Sequence, residues 1–308
     1  MCAVTHSDPE AAIAAVTEIL GPADSRPVPL EGGITNRNFR MTAGGRDVVV
    51  RVPGANTEDL GIDRVAEAEA ARIAADIGIG PEVAAVIEQP RCIAVDFVDG
   101  QTMTAADLHG EREITSVAEI LRRLHDSDES IPTTFDPFEV VRDHAERAQI
   151  NGAALPDAYS TALELADRIQ GKLSSPLHDP VLTHNDLLPA NLIRTDDGTL
   201  QLLDWDYSGM GNRFFDLANF AINAELGDDE RDLLLSSYFG EVTDANRATL
   251  DLMRLMSDFR EAMWGVLQGT LSDLEFDFGD YAEKHFRRLI ETSEEPGFRS
   301  ALEAGTVA

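Results

Sequence analysis

Residues 181–220 read VLTHNDLLPANLIRTDDGTLQLLDWDYSGMGNRFFDLANF. Two short β-like runs, NLIRT and TLQLLDW, flank Asp196-Asp197-Gly198, a turn sequence that reverses the chain. The hairpin is expected to return Asp204 beside Asn191, and a loop of the form HxDxxxxN, carrying His184, Asp186 and Asn191, leads into it. Asp186 and the Asn191/Asp204 pair then face a common cleft.

In a chain with 31 aspartates, a single loop carboxylate is usually solvated. The joint pattern carries more weight, as does the setting Leu202-Leu203-Asp204-Trp205, because an aspartate in a run that reads as buried costs free energy unless it meets a cation. Chemically the set suits phosphoryl transfer from a nucleoside triphosphate. Asn191 and Asp204 offer oxygens to Mg²⁺, which keeps most of its shell for water and phosphate, and Asp186 can accept the proton of an attacking hydroxyl as general base.

Upstream, the period changes once. Ser7 or Asp8 caps a first helix that has Pro9 in its first turn, where the missing N–H costs nothing. PVPLEGG, ITNRNFRMT and DVVVRV read as strands, the last two joined by a three-residue loop Ala43-Gly44-Gly45. A helix over 57–77 and the strands EVAAVIE and RCIAVDFV follow. After Asp99-Gly100 the pattern is helical near 104–109, 112–127, 136–150 and 156–173, and again to the end, with caps expected at Asn212, Asp228, Thr243 and Ser272. The fold class is α+β: a small β-rich N-terminal lobe, residues 1–98, and a larger, mostly helical C-terminal lobe, residues 99–308, holding the 181–220 segment.

Composition bounds the partners. The 308 residues carry 25 Lys and Arg against 56 Asp and Glu, a formal charge of −31. That balance excludes a nucleic-acid surface, which is bound by clustered cations. No apolar run approaches the ~20 residues of a membrane span, and the first residues lack a charged and apolar leader, so no membrane insertion and a cytoplasmic protein are expected. Cys2 and Cys92 make neither a disulfide framework nor a cysteine metal site. Only Lys172 and Lys284 are lysines, so chemistry that usually needs lysine falls to arginine.

HNDLLPAN followed by LLDWDYSGMGNRFFDLAN resembles the choline/ethanolamine kinase branch of the aminoglycoside-phosphotransferase and protein-kinase-like superfamily, over about residues 32–268. The resemblance implies a two-lobed kinase-like fold with ATP held between the lobes. GGITNRNFRM is similar to its nucleotide loop, where backbone N–H groups with Thr35, Asn36 and Arg37 cradle phosphates. Arg51 stands where most kinases carry the strand lysine; arginine there is a feature of the choline-kinase-like branch, and guanidinium grips phosphate oxygens well. Its acidic partner on the long helix is Glu67, with Glu69 the alternative. Adenine is expected against Asp96, Phe97 and Val98 through backbone groups.

For the acceptor, SDFREAMWGVLQG, residues 257–269, resembles the segment that walls the trimethylammonium head in choline kinases. Trp264 matches the first of two tryptophans, while Leu267 stands at the second. Tyr207 and Asp206 are expected to complete the cage, since a quaternary ammonium is recognised by π faces and carboxylates. His184 positions its loop, and His125 is read as a helix-end histidine meeting carbonyls. Asp216 anchors the catalytic loop through backbone N–H groups, Arg213 is structural, and Asn219 approaches the acceptor. The function implied is an ATP- and Mg²⁺-dependent kinase of choline or a related, cationic amino alcohol, possible as a homodimer. Ethanolamine, an aminoglycoside or a sugar as acceptor, and a nucleotide-binding pseudokinase regulator, are the alternatives.

Overall fold

The computed structural model describes residues 8–30, 35–54, 57, 59–173, 179–272 and 276–304. It divides into two compact units: the described parts of 1–101 together with 193–206, and of 102–192 together with 207–308. A single boundary near residue 98 was expected from the sequence; the chain instead returns to the first unit for the 193–206 hairpin.

In the first unit α1 (Pro9–Leu20) starts at Asp8, whose carboxylate accepts the Glu10 N–H, with Pro9 next. β1 (Val28–Leu30), β2 (Asn36–Ala43), β3 (Arg46–Pro53), β4 (Val83–Glu88) and β5 (Arg91–Asp96) form an antiparallel sheet in the order β1-β2-β3-β5-β4. Along β3, Val48, Val50 and Val52 alternate inward and pack with Met41, Ala85, Ile87, Ala94, Cys92 and the α1 residues Ala12 and Val16. The opposite parity leaves Arg51 on the other face, so one strand supplies both core and site.

The β2–β3 turn is tighter than expected, since Ala43 already pairs with Arg46 and only Gly44 and Gly45 lie between, both at positive φ. Helix α2 (Arg64–Asp76) starts seven residues later than the periodicity suggested, because the Asp63 carboxylate accepts the Val65 and Ala66 N–H groups and fixes the start there. Strand β6 (Gly100–Thr102) pairs with β8 (Leu192–Thr195), which turns at Gly198 into β9 (Leu200–Leu202); apart from Thr102 and Leu192 this sheet lies in the first unit. The Leu202 N–H donates to the Ile79 carbonyl, just past α2, pinning the hairpin there.

The second unit is helical: α3 (Glu111–His125), α4 (Pro137–Ile150) and α5 (Ala158–Gln170), then α6 (Arg213–Asn223), α7 (Asp228–Phe239), α8 (Asp244–Leu271), α9 (Phe278–Glu294) and α10 (Pro296–Glu303). Residues 105–108 form one 3₁₀ turn. Between α5 and α6, β7 (Val181–Thr183) pairs with β10 (Gly209–Gly211). Helix α8 is the axis, buried from Thr249 to Gly265 and packed by α4, α6, α9 and α10. Asn212 and Thr243 cap α6 and α8 as expected, whereas Gly227 precedes Asp228 at the α7 start and Ser272 ends α8 instead of starting a helix; Asp277 caps α9. Among the described residues no helix is long and apolar enough to cross a membrane.

Candidate active site

In each unit buried charge gathers around the expected site residues. In the first, Arg51 rises from β3 and its Nη2 donates to Asp204 Oδ1 at 2.6 Å and Asp206 Oδ1 at 2.8 Å; its Nε lies 3.6 Å from Glu67 Oε1. Arg64, in the first turn of α2, donates to Glu67 Oε2 (2.7 Å) and Asp206 Oδ1 (3.1 Å) through Nη1 and to Asn36 Oδ1 (2.9 Å) through Nη2. Asn36 Nδ2 donates in turn to Asp206 Oδ2 at 2.9 Å. Two guanidiniums thus hold three carboxylates.

Burial alone would depress the Arg51 guanidinium, but Asp204, Asp206 and Glu67 outweigh it and push its pKa up. Burial works against the Asp206 charge too, yet Arg64 and Arg51 hold its carboxyl well below the usual range. Glu67 moves the other way: burial and the charge of Asp206 push it up to about 7 against the pull of the two arginines. Burial, with the charge of Asp206, pushes the Asp204 carboxyl up as well, against the pull of Arg51.

Glu67 is therefore the helix acid near Arg51, while Glu69 is not among its ion-pair partners; yet the shorter bonds of Arg51 go to Asp204 and Asp206, and Glu67 is held more closely by Arg64. Asp204 is the reachable member, its side chain 33% exposed and its backbone at φ 68°, a left-handed conformation that aspartate tolerates better than most residues. A partly exposed carboxylate is a ligand type that fits a hard divalent cation.

Two of the expected site residues sit inside this cluster. Asp206 belongs to the arginine cluster: its side chain is 2% exposed, with Oδ1 on Arg51 and Arg64 and Oδ2 on the Asn36 amide. Asn36 braces the same cluster, accepting from Arg64 at its amide oxygen and donating one amide N–H to Asp206. Gly32 and Gly33 of the expected nucleotide loop lie outside the described residues. Thr35, half-buried, accepts the Gly54 N–H at its carbonyl, and Arg37 is exposed on β2. Phe97 spends its N–H on the Asp47 carbonyl and lies under the Arg40 guanidinium, with half-buried Val98 next to it.

In the second unit the loop after β7 is built around Asp216, wholly buried on α6. Its Oδ2 accepts the His184 N–H (2.9 Å) and its Oδ1 the Asn185 N–H (2.7 Å). His125 sits behind it, with Nε2 3.0 Å from Asp216 Oδ2 and Nδ1 2.7 Å from the Tyr238 hydroxyl. This corrects its expected role at helix-end carbonyls: a wholly buried ring must satisfy both nitrogens, and here a carboxylate and a phenol do so. Arg213 Nη1 reaches the same hydroxyl at 3.3 Å. Asn219 does not face an acceptor; it accepts the Leu187 N–H and donates to Ser257 Oγ at 2.9 Å, holding the loop to α8.

Tied at these points, the chain turns through Asn185 at φ 68° and presents Asp186, whose own N–H donates to His184 Nδ1 at 3.2 Å. His184 thus accepts within its own loop. Asn191 Nδ2 donates to the Asp186 carbonyl (2.8 Å) and to Oδ2 (3.2 Å), which leaves the Asn191 amide oxygen as its ligand end.

Asp186 Oδ1 meets Arg260 Nη1 at 3.2 Å. Arg260, from the middle of α8, is 1% exposed; it also pairs with Glu261 and stacks 4.2 Å over the Tyr207 ring. Tyr207 accepts the Trp264 Nε1–H at 2.7 Å, Trp264 lies edge-on to Tyr281 and Phe278, and the Tyr281 hydroxyl donates to Glu261 Oε2 at 2.7 Å. Burial opposes the Glu261 charge, but Arg260 outweighs it and holds the carboxyl low. Trp264 and Tyr207 bond to one another and are linked to Asp186 through Arg260.

Arg64, Arg260, Glu261 and Tyr281 were not singled out in the sequence. The signal was present for two of them: Arg260-Glu261 is a charged pair inside SDFREAMWGVLQG, as Asp204 is within LLDW, and buried charge asks for a partner in both places.

The chain matches the phosphotransferase enzyme family over residues 27–252. It is 25% identical to the protein LicA of Haemophilus influenzae over 86% of this chain and 79% of that one, and 26% identical to mouse ethanolamine kinase 1 over 88% and 86%. A crystal structure of a choline/ethanolamine kinase family protein from Mesorhizobium loti superposes with a TM-score of 0.79 at 27% identity, covering 94% of this chain and 97% of that one. The chain belongs to the phosphotransferase enzyme family and has the kinase-like α+β fold of these relatives. Within it, the chain is similar to choline/ethanolamine kinases and is a phosphotransferase with an alcohol group as acceptor.

Proposed function

We propose that this protein is an ATP- and Mg²⁺-dependent kinase that transfers the γ-phosphate to the hydroxyl of a small amino alcohol, choline or a relative of it. The observation that carries the reading is Asp186: a carboxylate on a loop clamped by Asp216, Asn219 and Asn191, beside an aromatic wall of Tyr207, Trp264 and Tyr281.

Asp186 takes the acceptor's hydroxyl proton as that oxygen attacks the γ-phosphorus and ADP departs with the bridging oxygen. Positioning is most of the catalysis in such reactions, which is why the loop is braced at several points. Arg51, locked by Glu67, Asp204 and Asp206, is the phosphate-facing cation in this reading, with Thr35 and Arg37 on the same unit and Phe97 and Val98 toward the adenine. Its burial means that phosphate must share it with Asp204. In this reading Asp204 of the first unit and Asn191 of the second would each offer an oxygen to Mg²⁺, which would supply neutralisation of phosphate charge when bound.

The relatives named for choline and ethanolamine support an amino-alcohol acceptor. Release of ADP measured over a panel of choline, ethanolamine, an aminoglycoside and simple sugars tests it. Acceptor-dependent release with an amino alcohol is expected. Release with only a sugar or aminoglycoside would overturn the acceptor, and none with any would favour a regulator that binds nucleotide without transferring phosphate.

A further inference from the structure

The aromatic wall beside Asp186 already contains a cation. Arg260 lies over Tyr207 at 4.2 Å and takes one oxygen each from Asp186 and Glu261. Among the described residues it is one of the largest wholly buried side chains, and its Nε and Nη2 have no hydrogen-bond partner there. A guanidinium is not placed in this way for stability alone, because orphaned buried donors are costly and the same volume could be filled by an apolar side chain.

We propose that Arg260 is a specificity-determining residue: by seating the chain's own guanidinium on Tyr207, it turns the acceptor site away from quaternary ammonium heads and toward primary amines. The proposal rests on the amino-alcohol reading above and narrows it.

A trimethylammonium head has no N–H. It binds only through π faces and unshared negative charge. Here one face of Tyr207 is covered, Leu267 is buried and offers no π face, and the two nearest carboxylates are each already paired with a fixed positive charge. A second, bulky cation meets like charge without compensation. A primary ammonium is smaller and brings three donors, and each carboxylate oxygen has a second lone pair to offer it. It can therefore share Asp186 and Glu261 with Arg260.

The test compares ethanolamine and choline as acceptors for the wild type, Arg260→Met and the double variant Arg260→Met/Glu261→Gln. Methionine keeps an unbranched stem against Tyr207 without the charge, and the double variant restores charge balance should the single one not fold. The wild type is expected to favour ethanolamine in kcat/KM by at least tenfold, and the folded variant to narrow that ratio at least tenfold. A wild type that takes choline equally well, or variants that slow both acceptors by the same factor, would overturn the proposal.

A measurement on the wild type alone bears on the same point. Methylammonium should inhibit ethanolamine phosphorylation at a concentration at least tenfold below tetramethylammonium, and equal inhibition would count against Arg260. Failure of the parent reading looks different: neither amino alcohol is phosphorylated by any protein, and the narrower claim falls with it.

Discussion

Asp186 and Glu67 are both buried carboxylates beside arginines, yet they are held for opposite ends. Asp186 is bonded from three directions at the loop tip, so Asp186→Asn should keep the fold and lower kcat by about 10²–10⁴-fold. Steady-state ADP release with matched thermal melts checks this; full activity in the variant would remove Asp186 from the mechanism. Glu67 is the third acid against two arginines, and its pKa rises to about 7. The folded protein thus keeps a proton that the unfolded chain gives up from about pH 4.5, and stability is lost as pH rises through the window between 4.5 and 7. Glu67→Gln should be more stable than the wild type at pH 8, by on the order of 1–3 kcal/mol, and equal to it near pH 4. Urea unfolding at both pH values measures the difference. In the sequence, Asp186, Asn191 and Asp204 could be read because spacing along one hairpin encodes them. The destination of Asp206 could not, since two residues past Asp204 either the acceptor wall or the arginine cluster was open to it, and long-range ion pairs with Arg51 and Arg64 decided.

At the level of elements, the strands and most helices followed from period and caps, and the differences lie where one side chain outbid the pattern. Residues 57–62 continue an acceptable helical periodicity, but Asp63 binds two N–H groups at the start of α2 and ends the competition. Asp63→Ala should cost about 1 kcal/mol, a drop of a few degrees in Tm by circular dichroism. Because α2 carries both Arg64 and Glu67, the same variant should weaken nucleotide binding more than it slows turnover. Gly44 is a second fixed point: at φ +56° any added Cβ would fall 1.9 Å from the Leu20 carbonyl oxygen. Only glycine turns β2 into β3 there. The start of α9 was misplaced because Ser272 has the right chemistry for a helix start, yet it lies where α8 runs out after 28 residues.

Across the whole molecule a charge of −31 opposes compactness, while the buried arginine clusters are neutralised locally. Adding salt from about 0.01 to 1 M shortens the screening length from about 30 to 3 Å, so Tm should rise with KCl. A Tm independent of salt would show that the surface acids are already balanced by their arginine neighbours. The near absence of lysine reaches further. Acyl-phosphate analogues of ATP, used to inventory kinases in a cell extract, work by acylating the strand amine, and here that position holds Arg51, permanently protonated and far less nucleophilic. Lys172 and Lys284 both belong to the second unit, and β3 carries no lysine. A survey that counts kinases by such labelling would pass over this one, and over any relative that has made the same exchange.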